Sequence, residues 1–256
     1  MKLYAMQCGV LYSDKGVFVS GDSGKFEVPV PYYLIEHKKG YVLFDSGHNQ
    51  TTVSAPQTLP QAILDSFRPA DFGDGYVLDA LKKAGIKPED IVYHVCSHLH
   101  FDHAGGIGLF PNATYVAQRQ ELHYAYVPDP FIKLVYFRED FDKDVNWLLL
   151  DGWNDNKHDL FDDGKIIIYY TPGHTPGHQS LLVNLENDGP MLLAQDACFT
   201  EENLNEMALP GTTCDSSTYI KTLATFKDLQ KRGVKIVPGH DPDVWRSMKK
   251  FPEFYK

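Results

Sequence analysis

Short hydrophobic runs that end in polar loops recur along the 256-residue chain. Runs of about four to eight residues rich in Val, Ile, Leu and Tyr, bounded by Gly, Pro, Asp or Asn, predict β-strands. Such strands are predicted in PYYLIEH, GYVLFDSGH, IVYHVCSH, ATYVAQ, KIIIYYTPGH, SLLVNLE, PMLLAQD and VKIVPGH. The first two are expected to form a hairpin that turns at Lys38 to Gly40.

Two segments between these runs carry apolar residues at helical spacing. GYVLDALKKAG ends in a Lys-Lys-Ala-Gly stop signal, and DSSTYIKTLATFKDLQKRG has Asp215 or Ser216 as its N-cap. The apolar face of the second helix is predicted to contain Ile220, Leu223, Phe226 and Leu229, and its end to fall at Lys231, Arg232 and Gly233. Because strands and helices interleave through both halves, the fold class is α/β or α+β, with sheets covered by helices.

Residues 124–165 lack a clean period and are rich in aromatic residues. We interpret this segment as an insertion that covers one end of the sheets. Its aromatic side chains could wall an apolar channel for an acyl chain or simply pack the loop onto the core. These residues are Tyr124, Tyr126, Phe131, Tyr136, Phe137, Trp147 and Trp153.

Composition favours one domain over residues 1–256, with the insertion around 124–165. The chain is 43% hydrophobic and 23% charged, and no apolar run approaches the length of a membrane span. The first residues contain no continuous apolar stretch of the kind that a signal peptide needs. We therefore expect a cytoplasmic protein that does not bind membranes, while the sequence does not indicate its oligomeric state.

Charge and cysteine spacing exclude several kinds of site. The formal net charge of -10, without a Lys/Arg cluster, argues against nucleic acid as a partner. The four cysteines have neither close pairing nor a CxxC spacing, which argues against a disulfide framework or a thiolate zinc site. They are Cys8, Cys96, Cys198 and Cys214.

Potential metal ligands follow four of the predicted strands. The carboxyl ends of neighbouring strands can converge on one place in a sheet, as catalytic residues do in other sheet-based enzymes. Imidazole and carboxylate suit Zn²⁺, and seven such groups exceed the three or four that one tetrahedral ion accepts, so two ions fit better. The seven groups are His98, His100, Asp102, His103, His174, Asp196 and His240.

The spacing within HLHFDHAGG fits such a pair of ions. His98 and His100 can point the same way if the extended geometry persists, and Asp102 and His103 can then reach a second ion. Gly105 and Gly106 would let the backbone bend tightly and approach the site closely.

Three further polar residues are candidates for supporting roles. His178 is expected to orient the site or the strand behind it, and Asp45 to accept a hydrogen bond from a ligand histidine. His48 lies near Asp45 in sequence and could touch the substrate. The remaining histidines have no partnered motif and are interpreted as structural.

The motifs HLHFDH, TPGHTPGH, QDACF and PGHD together resemble the metallo-β-lactamase superfamily. Within it, SHLHFDHAGG followed by TPGHTPGHQSL looks like the N-acyl-homoserine lactone lactonases of bacterial quorum quenching. The matching motifs run from Asp45 to His240, which is most of the chain.

This resemblance implies an αββα sandwich with two metals at one edge of its sheets. It implies that His98, His100 and His174 hold one ion, that Asp102, His103 and His240 hold the other, and that Asp196 bridges them. A hydroxide between the ions would attack the lactone carbonyl and open the ring, with Asp102 and Asp196 as the catalytic carboxylates. Zn²⁺ is the expected ion, although Mn²⁺, Fe²⁺ or Co²⁺ would also suit the ligands.

The chain departs from the lactonase pattern at Phe199, which would contact the substrate. The lactonases carry a tyrosine there, three residues after the bridging aspartate, and phenylalanine cannot donate its hydrogen bond. Hydrolysis of another lactone, ester or thioester therefore stays open, as does a non-catalytic lactone- or metal-binding protein. A common β-lactamase is disfavoured because it has a cysteine where Asp196 stands.

Overall fold

Two β-sheets pack face to face, and helices cover both outer faces. The computed structural model describes residues 1–73 and 75–256, and within them the first sheet has seven strands and the second has five. The predicted αββα sandwich is confirmed.

The first sheet combines an antiparallel half with a parallel half. Its strands are β1 (Lys2–Asp14), β2 (Lys25–His37), β3 (Gly40–Phe44), β4 (Arg68–Ala70), β5 (Ile91–Val95), β6 (Thr114–Gln118) and β7 (Trp147–Leu150). They lie in the order β4-β1-β2-β3-β5-β6-β7. The pairs of β3 with β5, β5 with β6, and β6 with β7 are parallel, and the rest are antiparallel.

The second sheet is mostly antiparallel. Its strands are β8 (Lys157–Asp159), β9 (Ile166–Tyr170), β10 (Gln179–Leu185), β11 (Gly189–Gln195) and β12 (Lys235–Pro238). They lie in the order β12-β11-β10-β9-β8, with β11 and β12 parallel. Because β9 and β11 are both antiparallel to β10 between them, the strands β9, β11 and β12 point in the same direction.

The α-helices are short apart from one. They are α1 (Gln50–Ser54), α2 (Gln61–Ser66), α3 (Val77–Ala84), α4 (Arg119–Tyr126), α5 (Arg138–Phe141), α6 (Glu201–Glu206), α7 (Ser216–Lys231) and α8 (Pro242–Ser247). No helix formed by the described residues has both the length and the apolar character to cross a membrane.

The core lies mainly between the sheets and follows the two-residue period of strands. In β10, Leu181 and Val183 belong to the cluster between the sheets, while Leu182 between them faces α7. Successive strand side chains point to opposite faces, so a strand buried on both faces is apolar throughout. This explains why SLLVNLE and PMLLAQD have continuous hydrophobic runs.

The predicted hairpin and helix ends are confirmed. Strands β2 and β3 pair through His37 and Gly40. Asp215 caps α7, with Oδ1 accepting a hydrogen bond from the backbone N–H of Thr218 at 3.0 Å. The buried face of α7 differs slightly from the prediction, because Ile220 is only partly buried while Tyr219 and Thr222 are buried.

Three parts of the sequence form strands that the pattern did not predict, and one of them is the three-residue β4 at the edge of the first sheet. Strand β1 pairs with β2 over most of its length, although it lacks a regular alternation of buried and exposed positions. Residues 124–165 contain β7 and β8, which lie at the edges of the two sheets, so the segment extends the sheets as well as covering them. Short edge strands have little periodic signal because partner strands, and not local sequence, define them.

Candidate metal centre

The carboxyl ends of strands from both sheets meet at one edge of the sandwich. Asp45 follows β3 and His98 follows β5 in the first sheet, while His174, Asp196 and His240 follow β9, β11 and β12 in the second. Their side chains are all at most 5% exposed. The strand directions thus bring together residues that are far apart in sequence.

A first cluster contains three histidines and Asp196. The ligand atoms of His98, His100, His174 and Asp196 lie within 4.8 Å of one another. His174 Nε2 lies 3.2 Å from His100 Nδ1 and 3.2 Å from Asp196 Oδ2, and His98 Nε2 lies 3.6 Å from the same oxygen. The imidazole nitrogens therefore surround one carboxylate oxygen.

A second cluster contains one aspartate and two histidines. Asp102 Oδ2 lies 3.5 Å from His103 Nε2 and 3.9 Å from His240 Nε2. The three side chains are buried, and their ligand atoms also lie within 4.8 Å of one another. We call these groups the first and the second cluster.

Asp196 faces both clusters with different oxygens. Its Oδ2 faces the first cluster, whereas its Oδ1 lies 3.2 Å from His103 Nε2 and 3.0 Å from His240 Nε2 in the second. One carboxylate thus lies between the two groups of ligand atoms, with one oxygen directed at each.

The two clusters differ in charge. Burial lowers the pKa of His98, His100 and His174, for His174 to about 4, so these imidazoles are neutral at pH 7. Burial also disfavours the charged forms of His103 and His240, but Asp196 and Asp102 outweigh it and raise both pKa values.

The donor atoms fit a pair of divalent ions. His98 Nε2, His103 Nε2 and Asp196 Oδ1 are buried, and none of them has a partner at hydrogen-bonding geometry among the described residues, although they lie close to one another. Unsatisfied buried polar atoms are costly, and here they converge on the spaces between ligand atoms. Neutral imidazole and carboxylate suit Zn²⁺ and related transition-metal ions, and a cation would offset the negative charge that Asp102 and Asp196 concentrate here.

Asp45 connects the two clusters from behind. Its Oδ2 lies 2.9 Å from His103 Nδ1 and accepts hydrogen bonds from the Ser97 hydroxyl, at 2.8 Å, and from the Gln195 side chain. Ser97 Oγ in turn lies 2.9 Å from His98 Nδ1. Asp45 therefore orients a histidine of the second cluster directly and one of the first through Ser97.

The structure separates the roles predicted for His178 and His48. The His178 ring lies 5.2 Å from that of His98, and its Nδ1 lies 3.0 Å from Thr171 Oγ1, so it packs behind the first cluster. His48 is fully buried against Phe72 and Phe101 and does not line the pocket at the metal centre. His48 therefore stands outside the lining of this pocket, and its contact with the substrate stays a prediction.

A pocket with mostly apolar walls opens onto both clusters. Phe199 lines it, with its ring centroid 5.2 Å from that of His174 and 5.7 Å from that of His240. The other apolar lining residues are Leu11, Val17, Phe18, Phe67, Phe101, Ile132 and Val135. The floor is formed by ligand residues of both clusters, with Thr212 beside them.

The aromatic residues of segment 124–165 do not line this pocket. The segment contributes Ile132 and Val135 instead. Tyr136 is buried and packs its ring 4.5 Å from that of His100, whereas Phe131 and Trp153 are mainly exposed. Tyr136 therefore packs onto the core, as one of the two predicted alternatives has it. The exposed rings of Phe131 and Trp153 neither pack onto the core nor wall a channel.

Sequence reasoning missed two buried polar residues beside the centre, Glu121 and Gln195. Glu121 contacts both loops that carry the first cluster, and Gln195 contacts Asp45. Gln195 directly precedes the predicted ligand Asp196, and this position could have marked it as a residue beside the site. Glu121 lies in α4, a short helix with no motif, and nothing local distinguishes it.

Gly105 and Gly106 allow their backbone to pack closely against a neighbouring loop. A Cβ on Gly105 would lie 2.1 Å from backbone atoms of His48 and Asn49, and one on Gly106 would lie 2.6 Å from Ser46 Cβ. The close contact is thus with the loop after β3, which carries Asp45, and not with the ligand atoms themselves.

Comparison with known proteins agrees with this architecture. The family model described as "Metallo-beta-lactamase superfamily" matches residues 26–240, which include every ligand of both clusters. The chain belongs to the metallo-β-lactamase superfamily. Within that superfamily, its curated relatives include N-acyl homoserine lactonases.

Two of these relatives cover nearly the whole chain. The N-acyl homoserine lactonase AttM of Rhizobium radiobacter is 41% identical over 100% of this chain and 98% of its own length. The N-acyl homoserine lactonase AiiA of Bacillus thuringiensis subsp. kurstaki is 31% identical over 99% of this chain and 98% of its own length.

Solved structures show the same architecture with product bound. An N-acyl homoserine lactone hydrolase, with N-hexanoyl-L-homoserine at its catalytic metal center, superposes with a TM-score of 0.88 at 29% identity, covering 99% of this chain and 98% of the other. A variant of B. thuringiensis AiiA with N-decanoyl-L-homoserine at its active site has the same TM-score at 28% identity, with the same coverage.

Proposed function

We propose that this protein hydrolyses the lactone ring of N-acyl homoserine lactones at a centre of two divalent ions. The first cluster would hold one ion, the second cluster the other, and Asp196 would bridge them. The catalytic carboxylates would be Asp102 and Asp196. The observation that carries the proposal is the position of Asp196, whose two oxygens face the two clusters.

The pocket supports a substrate with one polar and one apolar end. Ligand residues form its floor, and side chains such as Phe18, Ile132 and Val135 form its walls. A lactone carbonyl would lie at the floor, and the acyl chain would lie against the walls, where its burial is favourable.

The reaction adds water to the lactone carbonyl carbon and breaks the ring C–O bond, giving a carboxylate and a free hydroxyl. A bound pair of ions supplies an activated water at neutral pH and polarises the carbonyl oxygen. The protein's contribution is orientation, because Asp45 fixes His103 and, through Ser97, His98. The apolar walls keep bulk water from the carbonyl.

Zinc is the ion that we propose. Five neutral or ionisable imidazoles with two carboxylates form a donor set of borderline softness, and no thiolate takes part among the described residues. Manganese, iron or cobalt would bind the same donors, so metal analysis of protein purified without added metal is the direct measurement.

Phe199 supports a second candidate, hydrolysis of another lactone, ester or thioester. Its ring occupies the pocket between His174 and His240 and offers no hydrogen-bond donor there. A substrate whose carbonyl needs no such donor would suit this wall. A non-catalytic lactone- or metal-binding protein is the alternative from a different class.

These functions are tested by incubating metal-replete protein with a panel of substrates and measuring hydrolysis with a pH-stat. The panel contains short- and long-chain acyl-homoserine lactones, a δ-lactone, a linear ester, a thioester and a β-lactam, with Asp196→Ala as the inactive control. Selective opening of the acyl-homoserine lactones is expected. If only other compounds of the panel are hydrolysed, the proposed substrate is wrong and the second candidate function takes its place. If no compound is hydrolysed, the result favours a non-catalytic binding protein.

We also propose one domain over the whole chain and a cytoplasmic location. Leu3 and Tyr255 pack in the same core cluster between the sheets, which supports one domain. The four cysteines are free thiols, and Cys8, Cys96 and Cys198 are buried, as is usual in a reducing compartment. Fractionation of the native host with a redox-state assay of the thiols would test the location.

A further inference from the structure

Glu121 is a carboxylate in α4 that is completely buried and has no cationic partner among the residues described. It accepts four hydrogen bonds instead. Oε1 accepts from the Leu99 backbone N–H at 3.1 Å and from the Tyr136 hydroxyl at 3.0 Å. Oε2 accepts from the Thr175 hydroxyl at 2.6 Å and from the Gly177 backbone N–H at 3.2 Å.

Three of these four donors lie beside histidines of the first cluster, and the fourth, the Gly177 backbone N–H, directly precedes His178, whose ring lies 5.2 Å from that of His98. Leu99 stands between His98 and His100, and Thr175 follows His174 directly. Tyr136 packs its ring 4.5 Å from that of His100. One carboxylate therefore fastens together the two loops that carry all three imidazoles of the first cluster.

The second cluster is held by different groups. His103 Nδ1 lies 2.9 Å from Asp45 Oδ2, and His240 Nδ1 lies 2.7 Å from the backbone carbonyl oxygen of Pro29. Glu121 makes no hydrogen bond to either histidine or to its supports. The histidines of the two clusters are thus held by separate hydrogen-bonding groups. Asp45 is the exception, because it contacts His103 directly and His98 through Ser97.

Only a carboxylate satisfies all the donors that face Glu121. Two oxygens with two lone pairs each can accept four hydrogen bonds, whereas a glutamine would turn an NH₂ group toward two donors. A buried charge without a cationic partner is unfavourable unless hydrogen bonds compensate it. The close approach of α4 also requires Gly177, where a Cβ would lie 2.2 Å from the Glu121 backbone nitrogen.

We propose that Glu121 is a positioning residue for the first cluster, so that its replacement weakens the binding of one ion and leaves the other unchanged. The inference rests on the dinuclear site of the proposed function. It assigns to Glu121 a role in metal occupancy of one half of the centre, and not a general role in folding.

Cobalt titration of half-sites separates these roles. His240→Ala leaves the first cluster intact, and His174→Ala leaves the second intact. Glu121→Gln is made in each background and in the wild type, each protein is stripped of metal, and Co²⁺ binding is followed by calorimetry and by the visible d–d bands. Asp140→Asn, a buried carboxylate in α5 that bonds to Asn49, is the matched control.

Glu121→Gln is expected to weaken Co²⁺ binding about 10- to 100-fold in the His240→Ala background and to change its d–d bands. In the His174→Ala background, binding should stay within about twofold. Asp140→Asn should leave both unchanged. Equal weakening in both backgrounds, or none in the first, would overturn the proposal.

Tyr136→Phe keeps the test valid if Glu121→Gln does not fold. It removes one donor to Glu121 and retains the ring beside His100, so a smaller weakening confined to the first cluster is expected. Wild-type protein that binds two Co²⁺ but opens no lactone would refute the proposed substrate and leave this inference intact. Wild-type protein that binds fewer than two would refute both.

Discussion

The two clusters face the same carboxylate, that of Asp196, but their other groups differ in chemistry. The first consists of three imidazoles whose pKa values burial lowers. The second contains Asp102, and the carboxylates raise the pKa values of its histidines despite burial. A cation would meet the charge of Asp102 as well as that of Asp196 in the second cluster, whereas in the first only Asp196 would supply charge, so the arrangement of neutral nitrogens would carry more of the binding.

This difference explains why the surrounding contacts differ. Neutral imidazoles gain little from long-range attraction to a cation, so their directions must be fixed closely. The carboxylate of Glu121, which accepts four hydrogen bonds, lies behind them. In the second cluster, where Asp102 supplies a charge of its own, each histidine has a single hydrogen-bonding support, from Asp45 for His103 and from the Pro29 carbonyl oxygen for His240. Four substitutions test this difference between the clusters.

Asp196→Ala should remove the contrast altogether, because both clusters lose the oxygen that faces them. We expect hydrolysis to fall at least about 10³-fold and occupancy to fall below two ions per chain. Metal analysis with kcat measurement checks both. Near-wild-type turnover with two bound ions would contradict the bridging role.

Asp45→Asn should weaken both clusters, the second more strongly. It removes the carboxylate that orients His103 directly and His98 only through Ser97. We expect a loss of about 10- to 100-fold in metal affinity of the second cluster, measured in the His174→Ala background. A larger loss of metal affinity in the His240→Ala background would show that Asp45 supports the first cluster more strongly than the second, contrary to this prediction.

Phe199→Tyr tests whether the pocket between the two clusters lacks a hydrogen-bond donor for the substrate carbonyl or leaving oxygen. The ring lies between His174 and His240, and the new hydroxyl would add a donor to the pocket. We expect kcat/KM for acyl-homoserine lactones to rise up to about 10-fold, below the roughly 10²-fold that an oxyanion donor gives where it acts alone. Phe199→Leu is the control for packing, and an unchanged or lower rate would favour the alternative substrate.

Asp140→Asn should alter stability and leave both clusters unaffected. Burial raises the pKa of Asp140 from 3.8 to about 7. Between these values the folded protein binds a proton that the unfolded chain has released, so stability falls as pH rises through this window. At pH 8 the variant should be more stable by about 1 to 4 kcal/mol, and at pH 4 equal to wild type. Urea unfolding at both pH values measures this, and a constant difference would contradict it.

Much of the fold was readable from local patterns because strands buried on both faces are apolar throughout. The core strands β5, β6, β9, β10, β11 and β12 were all predicted. Strand β1 and the edge strands β4, β7 and β8 were not, since pairing with neighbours, and not periodicity, defines them. His48 shows the same limit, because proximity to Asp45 in sequence did not reveal that its ring is fully buried against Phe72 and Phe101.

The sequence by itself determined the donor set. Histidines and aspartates placed directly after buried strands identify the ligand atoms, because strand ends fix where such side chains emerge. The family resemblance, and not the local spacing, implied how these atoms divide into two clusters; the tertiary structure was needed to show which oxygen of Asp196 faces each cluster and that Glu121 lies behind one of them. Those facts depend on contacts between residues far apart in the chain, such as that of His103 with Asp196. Contacts of that range leave no local pattern in a sequence, because periodicity reports only on neighbours within one element.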